Sequence, residues 1–409
     1  MADPEPIPVS EPLTVLCIAS YEKGQEFMCE CKRQGCRTLL VTSQSLQNAD
    51  WPRESLDEIY YIPDRDKEWN FTDMLNGISY LARTVTIDRV VPLDDFDVEK
   101  AAAIREHLRL PGMGDSVARF FRDKLAMRTR AADTGIPVPP FIGIINYDRL
   151  RHFLSTVPPP YVLKPRSQAG AIGIRKIADP SDLWTALDEL GDRQSHYLLE
   201  KFVPGSIYHV DTIVHKGKVV FSLVSRYGTP PLAVSHEGRV FTSRNVVRGS
   251  EDEKDLTALN KKVLKSFGLE QGVSHSEYIR GDDGQVYFLE TSARVAGAHL
   301  AEMIEAASGV NLWAEWAKLE TRRNPAEYQP PTIYRNYAAL LVSLAKQEHP
   351  EMSIFTDPEV YWTLKKSHHA GVVIRSPKYD RITELLDTYT ERFYSEFFTS
   401  LLPTEKAVD

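Results

Sequence analysis

Four short, uninterrupted apolar runs mark the first 110 residues of the chain. They are T-V-L-C-I-A (14–19), R-T-L-L-V-T (37–42), I-Y-Y-I-P (59–63) and R-V-V-P-L (89–93), and helix-like segments lie between them at roughly 22–35, 71–84 and 96–108. Strands that are apolar on both faces and alternate with helices are typical of a parallel sheet covered on both sides. The pattern predicts an N-terminal α/β domain over 13–112, after a short flexible arm over 1–12.

The pattern changes along the rest of the chain. A helix is predicted from Asp115 to Gly135, followed by alternating strands and helices to about residue 192. Antiparallel hairpins are predicted over 197–226 and 272–291, with turns at H-K-G-K and G-D-D-G. A helical stretch (298–322) and an α+β tail ending in an amphipathic helix (379–401) follow, while the polar stretch 228–256 is either a mobile substrate loop or a surface excursion. The fold class is therefore mixed, α/β and α+β.

Composition and charge narrow the function classes. The chain has 409 residues, of which 42% are hydrophobic and 26% charged, which excludes intrinsic disorder. A net charge of −8 argues against a broad nucleic-acid or anionic-membrane surface. The longest apolar run, residues 338–345, is far shorter than the ~18 residues of a membrane span. The N-terminus has neither the positive region nor the apolar region of a signal peptide.

All the cysteines, Cys17, Cys29, Cys31 and Cys36, lie in the first 36 positions. A secreted disulfide framework does not leave most of a chain without cross-links, so a reducing cytoplasm is expected. Zinc binding is the alternative, but the spacing matches no common zinc site and thiols on a helix explain it better.

Three later segments contain residues that could carry chemistry. In Y-V-L-K-P-R-S-Q-A-G-A-I-G-I-R-K-I (161–177), Lys164 ends an apolar strand and precedes a loop with two glycines. Such a loop, with a lysine in the same cleft, can bind phosphates, although a plain hairpin remains the alternative. In Y-L-L-E-K-F-V-P-G (197–205), a carboxylate or a backbone carbonyl beside apolar side chains suits an adenine ring, and a core strand with an exposed Glu-Lys pair is the alternative.

The third segment, H-S-E-Y-I-R-G-D-D-G-Q-V-Y-F-L-E-T-S-A-R (275–294), is the most informative. A two-residue turn at Asp282-Asp283 sets Glu277 opposite Phe288 and diagonal to Glu290. Alternation then places His275, Glu277, Glu290 and Ser292 on one face, with Tyr278, Tyr287 and Leu289 towards the core. Two carboxylates on one face favour a magnesium ion held together with substrate phosphates, unless both are simply solvated.

With Lys164, Glu200, Glu277, Glu290 and Arg294 in this order and spacing, the chain resembles the ATP-grasp superfamily. It is most similar to ATP-dependent carboxylate–amine ligases, including the amino acid ligases that make dipeptides, with biotin carboxylases as more distant relatives. The segments R-D-K-L-A-M-R (122–128) and T-G-I-P-V-P (134–139) support this resemblance, which covers roughly residues 14–320.

The resemblance implies an N-terminal parallel-sheet domain, a first ATP-grasp lobe over 113–195, a second lobe with the metal site over 196–325, and a C-terminal α+β subdomain over 326–409. It also implies roles for single residues. Lys124 and Lys164 would neutralise the nucleotide phosphates, Gly170 and Gly173 would belong to a lid over residues 166–174, Glu200, Lys201, Phe202 and Val203 would form the adenine hinge, and His209 and Asp211 would lie near the ribose or the metal–phosphate site. Glu277, Glu290 and Ser292 would bind Mg²⁺, with Mn²⁺ as an alternative, and Arg294 would act with Lys164 on the transferred phosphate.

Two departures from the family pattern stand out: Ser292 occupies a position that is usually asparagine, and the lid has few glycines. Neither removes a charge that the mechanism needs, so the resemblance implies an enzyme that forms an amide through an acylphosphate and releases ADP. A biotin-carboxylase-like reaction and a non-catalytic ATP-binding module are the alternatives. The partners would be small carboxylate and amine substrates, with no nucleic acid or membrane, and a homodimer is an option left open. Candidates for binding a substrate carboxylate are Arg226, His236, Arg244 and His299, with ordinary exposed side chains as the alternative at each.

Overall fold

The structure, a computed structural model, describes residues 12–323 and 328–400. The chain divides into two compact units, one of residues 1–114 with 316–328 and one of residues 115–315 with 329–409. The predicted arm over 1–12 lies outside the described residues except for Pro12. No helix in the described ranges is long and apolar enough to cross a lipid bilayer.

The first unit is built on a four-stranded parallel sheet. Its elements are β1 (Thr14–Ala19), α1 (Gln25–Arg33), β2 (Arg37–Ser43), β3 (Glu58–Ile62), β4 (Asp64–Arg65), β5 (Glu68–Trp69), α2 (Phe71–Leu81), β6 (Arg89–Pro92) and α3 (Val98–Leu108). The strand order is β3-β2-β1-β6, and all three pairings are parallel. Every residue of β1 is buried, which is the consequence of apolar side chains on both faces of a central strand. The predicted parallel sheet is confirmed.

The cysteines of this unit are free thiols. Cys17, Cys31 and Cys36 are buried, and Cys29 is partly exposed. Burial raises the pKa of Cys36 to about 11, so this thiol stays protonated and unreactive at neutral pH.

The second unit begins with a small antiparallel sheet. Its first elements are α4 (Asp115–Ala118), α5 (Lys124–Asp133), β7 (Phe141–Gly143), α6 (Tyr147–Thr156), β8 (Tyr161–Pro165), β9 (Arg175–Ile177), α7 (Pro180–Leu190) and β10 (Tyr197–Lys201). The strand order is β7-β10-β8-β9. The prediction that residues 197–201 open a hairpin with the following strand is wrong, because Tyr197–Lys201 pairs with β7 and β8 instead.

The helix predicted from Asp115 to Gly135 is broken before α5. The side chain of Asp123 accepts hydrogen bonds from the backbone amides of Leu125 and Ala126, at 2.9 and 3.4 Å, and so starts a new helix. This cap places Lys124 at the first position of α5.

An eight-stranded antiparallel sheet forms the rest of the second unit. Its elements are β11 (Gly205–His215), β12 (Lys218–Tyr227), α8 (Pro231–Glu237), β13 (Phe241–Asn245), α9 (Glu251–Phe267), β14 (Gly272–Gly281), β15 (Val286–Ser292), α10 (Leu300–Ser308), α11 (Leu312–Glu320, whose last turn belongs to the first unit), β16 (Tyr337–Leu344), β17 (Val360–Thr363), β18 (His369–Ser376) and α12 (Tyr379–Arg392). The strand order is β15-β14-β11-β12-β13-β16-β18-β17.

Two parts of this sheet differ from the sequence expectation. The polar stretch 228–256 is neither a loop nor a plain excursion, since it contains α8, β13 and the start of α9. The strands of the predicted C-terminal tail extend the sheet of the predicted second lobe, because β16 pairs with β13. The domain boundaries drawn from the sequence stay predictions.

Candidate active site

A cleft in the second unit collects the charged residues that the sequence singled out. Its walls include Lys124, Lys164, Glu200, Phe202, Val203, Glu277 and Glu290, together with Gly170 of the glycine loop. The cavity has a volume of about 170 Å³. Lys201 also contributes to the walls, so three lysines and three glutamates line one largely apolar cleft.

Lys164 is buried in an ion pair with Glu200. Antiparallel pairing sets β8 beside β10, and one Glu200 oxygen accepts from the Lys164 amine while the other lies 3.0 Å from Nε of Arg128. Burial lowers the pKa of Lys164 to about 8, although Glu200 opposes the shift. Burial alone raises the pKa of Glu200, yet Arg128 and Lys164 hold it below its ordinary value. Glu200 is therefore charged at neutral pH.

This ion pair changes the picture of the predicted adenine hinge. The carboxylate of Glu200 is engaged with Lys164 and Arg128, and the Lys201 amine donates to the carbonyls of Pro158 and Pro159 at 2.7 and 2.8 Å. Phe202 and Val203 line the cavity. The predicted adenine hinge stays a prediction, with the side chains of Glu200 and Lys201 engaged in these contacts.

Lys124 joins the glycine loop to the glutamates. Its amine lies 2.8 Å from Oε2 of Glu290 and donates to the carbonyl of Gln168 at 2.6 Å. Its backbone amide donates to the carbonyl of Arg166 at 2.8 Å, and the Arg166 guanidinium pairs with Asp123. The start of the predicted lid is thereby fixed to the start of α5. Beyond it, Gly170 and Gly173 adopt φ of 69° and 70°, which suit a tight turn without a side chain.

Glu277 and Glu290 lie directly opposite each other on β14 and β15. The predicted register, with Glu277 opposite Phe288, is wrong by two residues. The turn holds three residues, Asp282–Gly284, because Arg280 pairs with Val286, and a bulge beside Glu277 adds Leu289 to β15. The longer turn and the bulge each shift the register by one residue. The two shifts together leave the alternation of faces unchanged, so both glutamates still share a face.

The same two shifts change the core side of the hairpin. Between the turn and the bulge, the residues of β15 that were expected to face the core face the other side of the sheet. Phe288, rather than Tyr287 or Leu289, therefore packs with Tyr278, at 5.9 Å between ring centroids. Leu289 lines the cavity instead.

The donor set on this face fits a magnesium ion. Glu277 and Glu290 offer carboxylate oxygens, and Ser292 offers a hydroxyl on the same strand face, opposite His275. Hard oxygen ligands of this kind suit Mg²⁺ shared with phosphates, and no sulfur or imidazole faces this cavity among the described residues.

His209 and Asp211 are on the same sheet face as Glu277, but they do not line the cleft. Both are fully buried, and they bond to each other at 2.7 Å. Asp211 also bonds to His275, and His209 to Ser243. Their predicted place near the ribose or the metal–phosphate site stays a prediction, and Asp211 is linked to the metal candidate Glu277 through His275.

The three substrate candidates whose side chains the structure describes, Arg226, Arg244 and His299, do not line the cleft. Arg226 and Arg244 pair across β12 and β13 on the sheet face opposite Glu277; Arg226 bonds to Ser206 and Arg244 to Thr383. The His299 ring lies 4.8 Å from that of Trp362 and bonds to Glu302. His236 belongs to α8, and its side chain is outside the described part of the structure.

Arg294 follows β15 and donates to the carbonyl of Val295 at 3.0 Å. Its guanidinium is not among the described cavity-lining groups. The predicted contact with the transferred phosphate stays a prediction.

Two residues of the site were missed in the sequence. Arg128 stands four positions after Lys124 on α5, and this helical spacing could have placed both on one face. Tyr227 donates to Oε1 of Glu277 at 2.8 Å, but it lies 50 positions away, and nothing in the local pattern signals the contact.

Comparison with known proteins agrees with this geometry. The family model described as ATP-grasp domain matches residues 157–302. These residues are similar to an ATP-grasp domain. The domain contains β8 to β15 and with them Lys164, Glu200, Glu277 and Glu290, while Lys124 precedes it.

The chain is similar to several named ligases. It is 24% identical over 277 residues to the L-arginine-specific L-amino acid ligase of Bacillus subtilis, covering 66% of this chain and 65% of the relative. It is 20% identical over 283 residues to the alanine–anticapsin ligase of Bacillus subtilis strain 168, covering 63% and 59%. The chain thus spans about three fifths of the length of these curated relatives.

A solved structure has the same fold over most of the chain. The crystal structure of an L-amino acid ligase from Bacillus licheniformis superposes with a TM-score of 0.75 at 16% identity, covering 95% of this chain and 99% of that one. The predicted ATP-grasp fold is confirmed.

Proposed function

We propose that this protein is an ATP-dependent ligase that joins a carboxylic acid to an amine through an acylphosphate, releasing ADP and phosphate. The observation that carries the proposal is the convergence of Lys124, Lys164, Glu277 and Glu290 on one cleft. The named relatives, which are amino acid ligases, favour an amino acid as a substrate.

The nucleotide would bind through two kinds of groups that line the cleft, apolar side chains and phosphate-binding donors. Phe202 and Val203 offer apolar contacts to a flat base. The amines of Lys124 and Lys164, with the backbone amides of the loop around Gly170, offer positive charge and donors to phosphates. Lys124 would exchange its present partners, Glu290 and the Gln168 carbonyl, for phosphate oxygens.

Glu277 and Glu290 would hold Mg²⁺, or Mn²⁺ in its place, with the Ser292 hydroxyl nearby. When bound, the ion screens the charge of the β- and γ-phosphates. The two carboxylates would fix the position of the divalent cation, and through its charge they would orient the phosphates.

The reaction needs positioning and charge stabilisation rather than a protein nucleophile. A substrate carboxylate oxygen forms a bond to the γ-phosphorus while the bond from that phosphorus to the ADP oxygen breaks. The amine then attacks the acyl carbon, loses a proton and expels phosphate. Lys124, Lys164 and Arg294 would stabilise the charge that spreads over the phosphoryl oxygens.

The remaining features of the proposal follow from this chemistry. The partners are small molecules, one acid and one amine, and a homodimer stays a prediction. We also propose a cytoplasmic location, since free cysteines are typical of proteins in a reducing compartment.

The test is a screen of the purified protein with ATP, Mg²⁺ and amino acids, singly and in pairs, with arginine tried first. ADP and phosphate are measured together, and the amide product is identified by mass spectrometry. We expect release of ADP that requires a specific pair and yields their dipeptide. ADP release driven only by bicarbonate and biotin would indicate carboxylation instead. Release no greater than that of Glu290→Gln with every pair would contradict a ligase and leave a nucleotide-binding module.

A further inference from the structure

A buried chain of polar side chains runs behind Glu277. Its members are Ser243, His209, Asp211, His275 and Tyr227, and none is more than 9% exposed. They stand on four adjacent strands, β13, β12, β11 and β14, and face the same side of the sheet as Glu277. Among the described residues, Glu277 lines the cavity and these five polar residues do not.

Asp211 is the centre of the chain. Its two carboxylate oxygens accept from Nδ1 of His209 and Nδ1 of His275, at 2.7 and 2.9 Å. The far nitrogen of His209 lies 2.8 Å from the hydroxyl of Ser243. Each imidazole is thus fixed at both ring nitrogens, and Asp211 sets the orientation of both.

The other end of the chain closes on Glu277. Nε2 of His275 lies 3.5 Å from Oε1 of Glu277, and the Tyr227 hydroxyl donates to the same oxygen at 2.8 Å. Burial alone raises the pKa of Glu277, but hydrogen bonding to His275 and Tyr227 holds it below its ordinary value. One oxygen of Glu277 is therefore held from behind by two residues.

The distances within the chain are those of hydrogen bonds rather than of ligands around a second metal ion. Two ligands of a tetrahedral zinc, each at ~2.0 Å, stand roughly 3.3 Å apart. The His209–Asp211 and His275–Asp211 separations of 2.7 and 2.9 Å are shorter. A charge buried this deeply is costly without partners, and both oxygens of Asp211 have one.

We propose that Asp211 and Tyr227 are positioning residues for the metal site. Tyr227 holds the Glu277 carboxylate directly, and Asp211 holds it through His275, so that Glu277 presents its remaining lone pairs to the cation in a single orientation. This inference rests on the proposed metal–nucleotide site and not on the identity of the acid or the amine. Neither residue touches substrate.

The test measures Mn²⁺ binding with ADP present, from the electron paramagnetic resonance signal of free Mn²⁺. The variants are Tyr227→Phe and Asp211→Asn, each matched to the wild type for circular dichroism. The control is Tyr278→Phe: Tyr278 is the next residue after Glu277, fully buried on the opposite face, and its hydroxyl bonds to Asn260 at 2.7 Å. Tyr278→Phe also loses a tyrosine hydroxyl, here one on the strand of Glu277 that bonds to Asn260 and not to Glu277.

We expect Tyr227→Phe and Asp211→Asn to weaken Mn²⁺ binding about tenfold or more, and to change metal-free ADP binding less than twofold. Tyr278→Phe should keep the wild-type Mn²⁺ affinity. If Asp211→Asn does not fold, the result for Tyr227→Phe tests the inference, because this variant loses only the hydroxyl and retains the packing of the aromatic ring. Wild-type Mn²⁺ affinity in folded Tyr227→Phe, or an equal loss in Tyr278→Phe, overturns the inference. A wild-type protein that binds no Mn²⁺ with ADP would instead contradict the proposed nucleotide site itself.

Discussion

Glu277 and Glu290 face each other across neighbouring strands because β15 carries one extra residue, Leu289, beside the pair. Two carboxylates ~4 Å apart repel by about 4 kcal/mol at an effective dielectric constant near 20. The Lys124 amine, 2.8 Å from Glu290, and the Tyr227 hydroxyl, 2.8 Å from Glu277, each stabilise one member of the pair. Binding of a divalent cation between them would release Lys124 towards the phosphates.

Replacing Glu290 by glutamine should abolish turnover. The substitution keeps the size of the side chain but removes one negative charge of the cation site, while Lys124, Lys164 and the apolar wall remain for the nucleotide. We expect kcat to fall well beyond tenfold, the equivalent of ~1.4 kcal/mol, with ADP binding retained. Steady-state kinetics and calorimetry measure the two quantities. Asp283→Asn, which removes a charge from the exposed turn of the same hairpin, is the control, and a Glu290→Gln enzyme with over a tenth of wild-type kcat contradicts the assignment.

The pH dependence should report Lys164. Burial lowers the pKa of its amine to about 8, so the free enzyme carries this charge below pH 8 and loses it above. We therefore expect kcat/KM for ATP to be level below pH 8 and to fall as the pH rises through it, since kcat/KM follows the free enzyme. In Lys164→Arg the guanidinium stays charged, so this fall should disappear. An unchanged inflection in Lys164→Arg would assign it to another group.

Arg128 should be a major determinant of stability. It is fully buried and pairs with Glu200 at 3.0 Å, so Arg128→Met leaves that buried carboxylate with Lys164 as its remaining ion-pair partner. Breaking a buried pair costs about 3–5 kcal/mol of unfolding free energy. Arg130→Met, on the exposed side of α5, should cost less than about 1 kcal/mol. Urea unfolding measures both, and equal small losses would show that Lys164 alone satisfies Glu200.

The sequence predicts the first unit well for a physical reason. Strands such as Thr14–Ala19 are apolar on both faces, and this pattern is difficult to confuse with any surface element. The carboxylates of Glu277 and Glu290 could also be placed on one face, since alternation survives two compensating shifts. Lys164 and Glu200 could be singled out from the local pattern, but a plain hairpin and a core strand explained them as well, and only the family resemblance assigned them roles.

What the sequence could not predict depends on contacts between distant positions. The bulge at Leu289 has no local signature, because its stability comes from pairing with β14. Tyr227 reaches Glu277 only because the sheet order places β12 next to β11 and β11 next to β14, so one strand separates the two residues. The Tyr197–Lys201 strand pairs with β7 and β8 rather than with its neighbour in sequence, a choice made by the burial of Leu198 and Leu199.

The glycine loop should become protected from hydrogen exchange when nucleotide binds. Its start is fixed by Lys124 and Arg122, which donate to the Gln168 and Ser167 carbonyls, so closure would involve mainly residues 169–174. The amides there gain phosphate acceptors only with nucleotide present. Exchange measured with and without a non-hydrolysable ATP analogue should slow in this segment and stay constant in the exposed turn Asp282–Gly284. Unchanged exchange in both would indicate a rigid hairpin.

The reaction should pass through an intermediate that hydroxylamine can intercept. Lys124, Lys164, Glu277 and Glu290 supply charge and position but no nucleophile, and all four cysteines belong to the first unit. The carboxylate must then be activated by phosphate rather than as a thioester. The assay contains ATP, Mg²⁺ and the amino acid that supplies the carboxylate, without the amine substrate. Added hydroxylamine should then yield the hydroxamate while ADP accumulates in equal amount. Glu290→Gln should form neither product. Release of AMP and pyrophosphate with the hydroxamate would mean adenylation, and it would overturn the acylphosphate route even if a dipeptide is made.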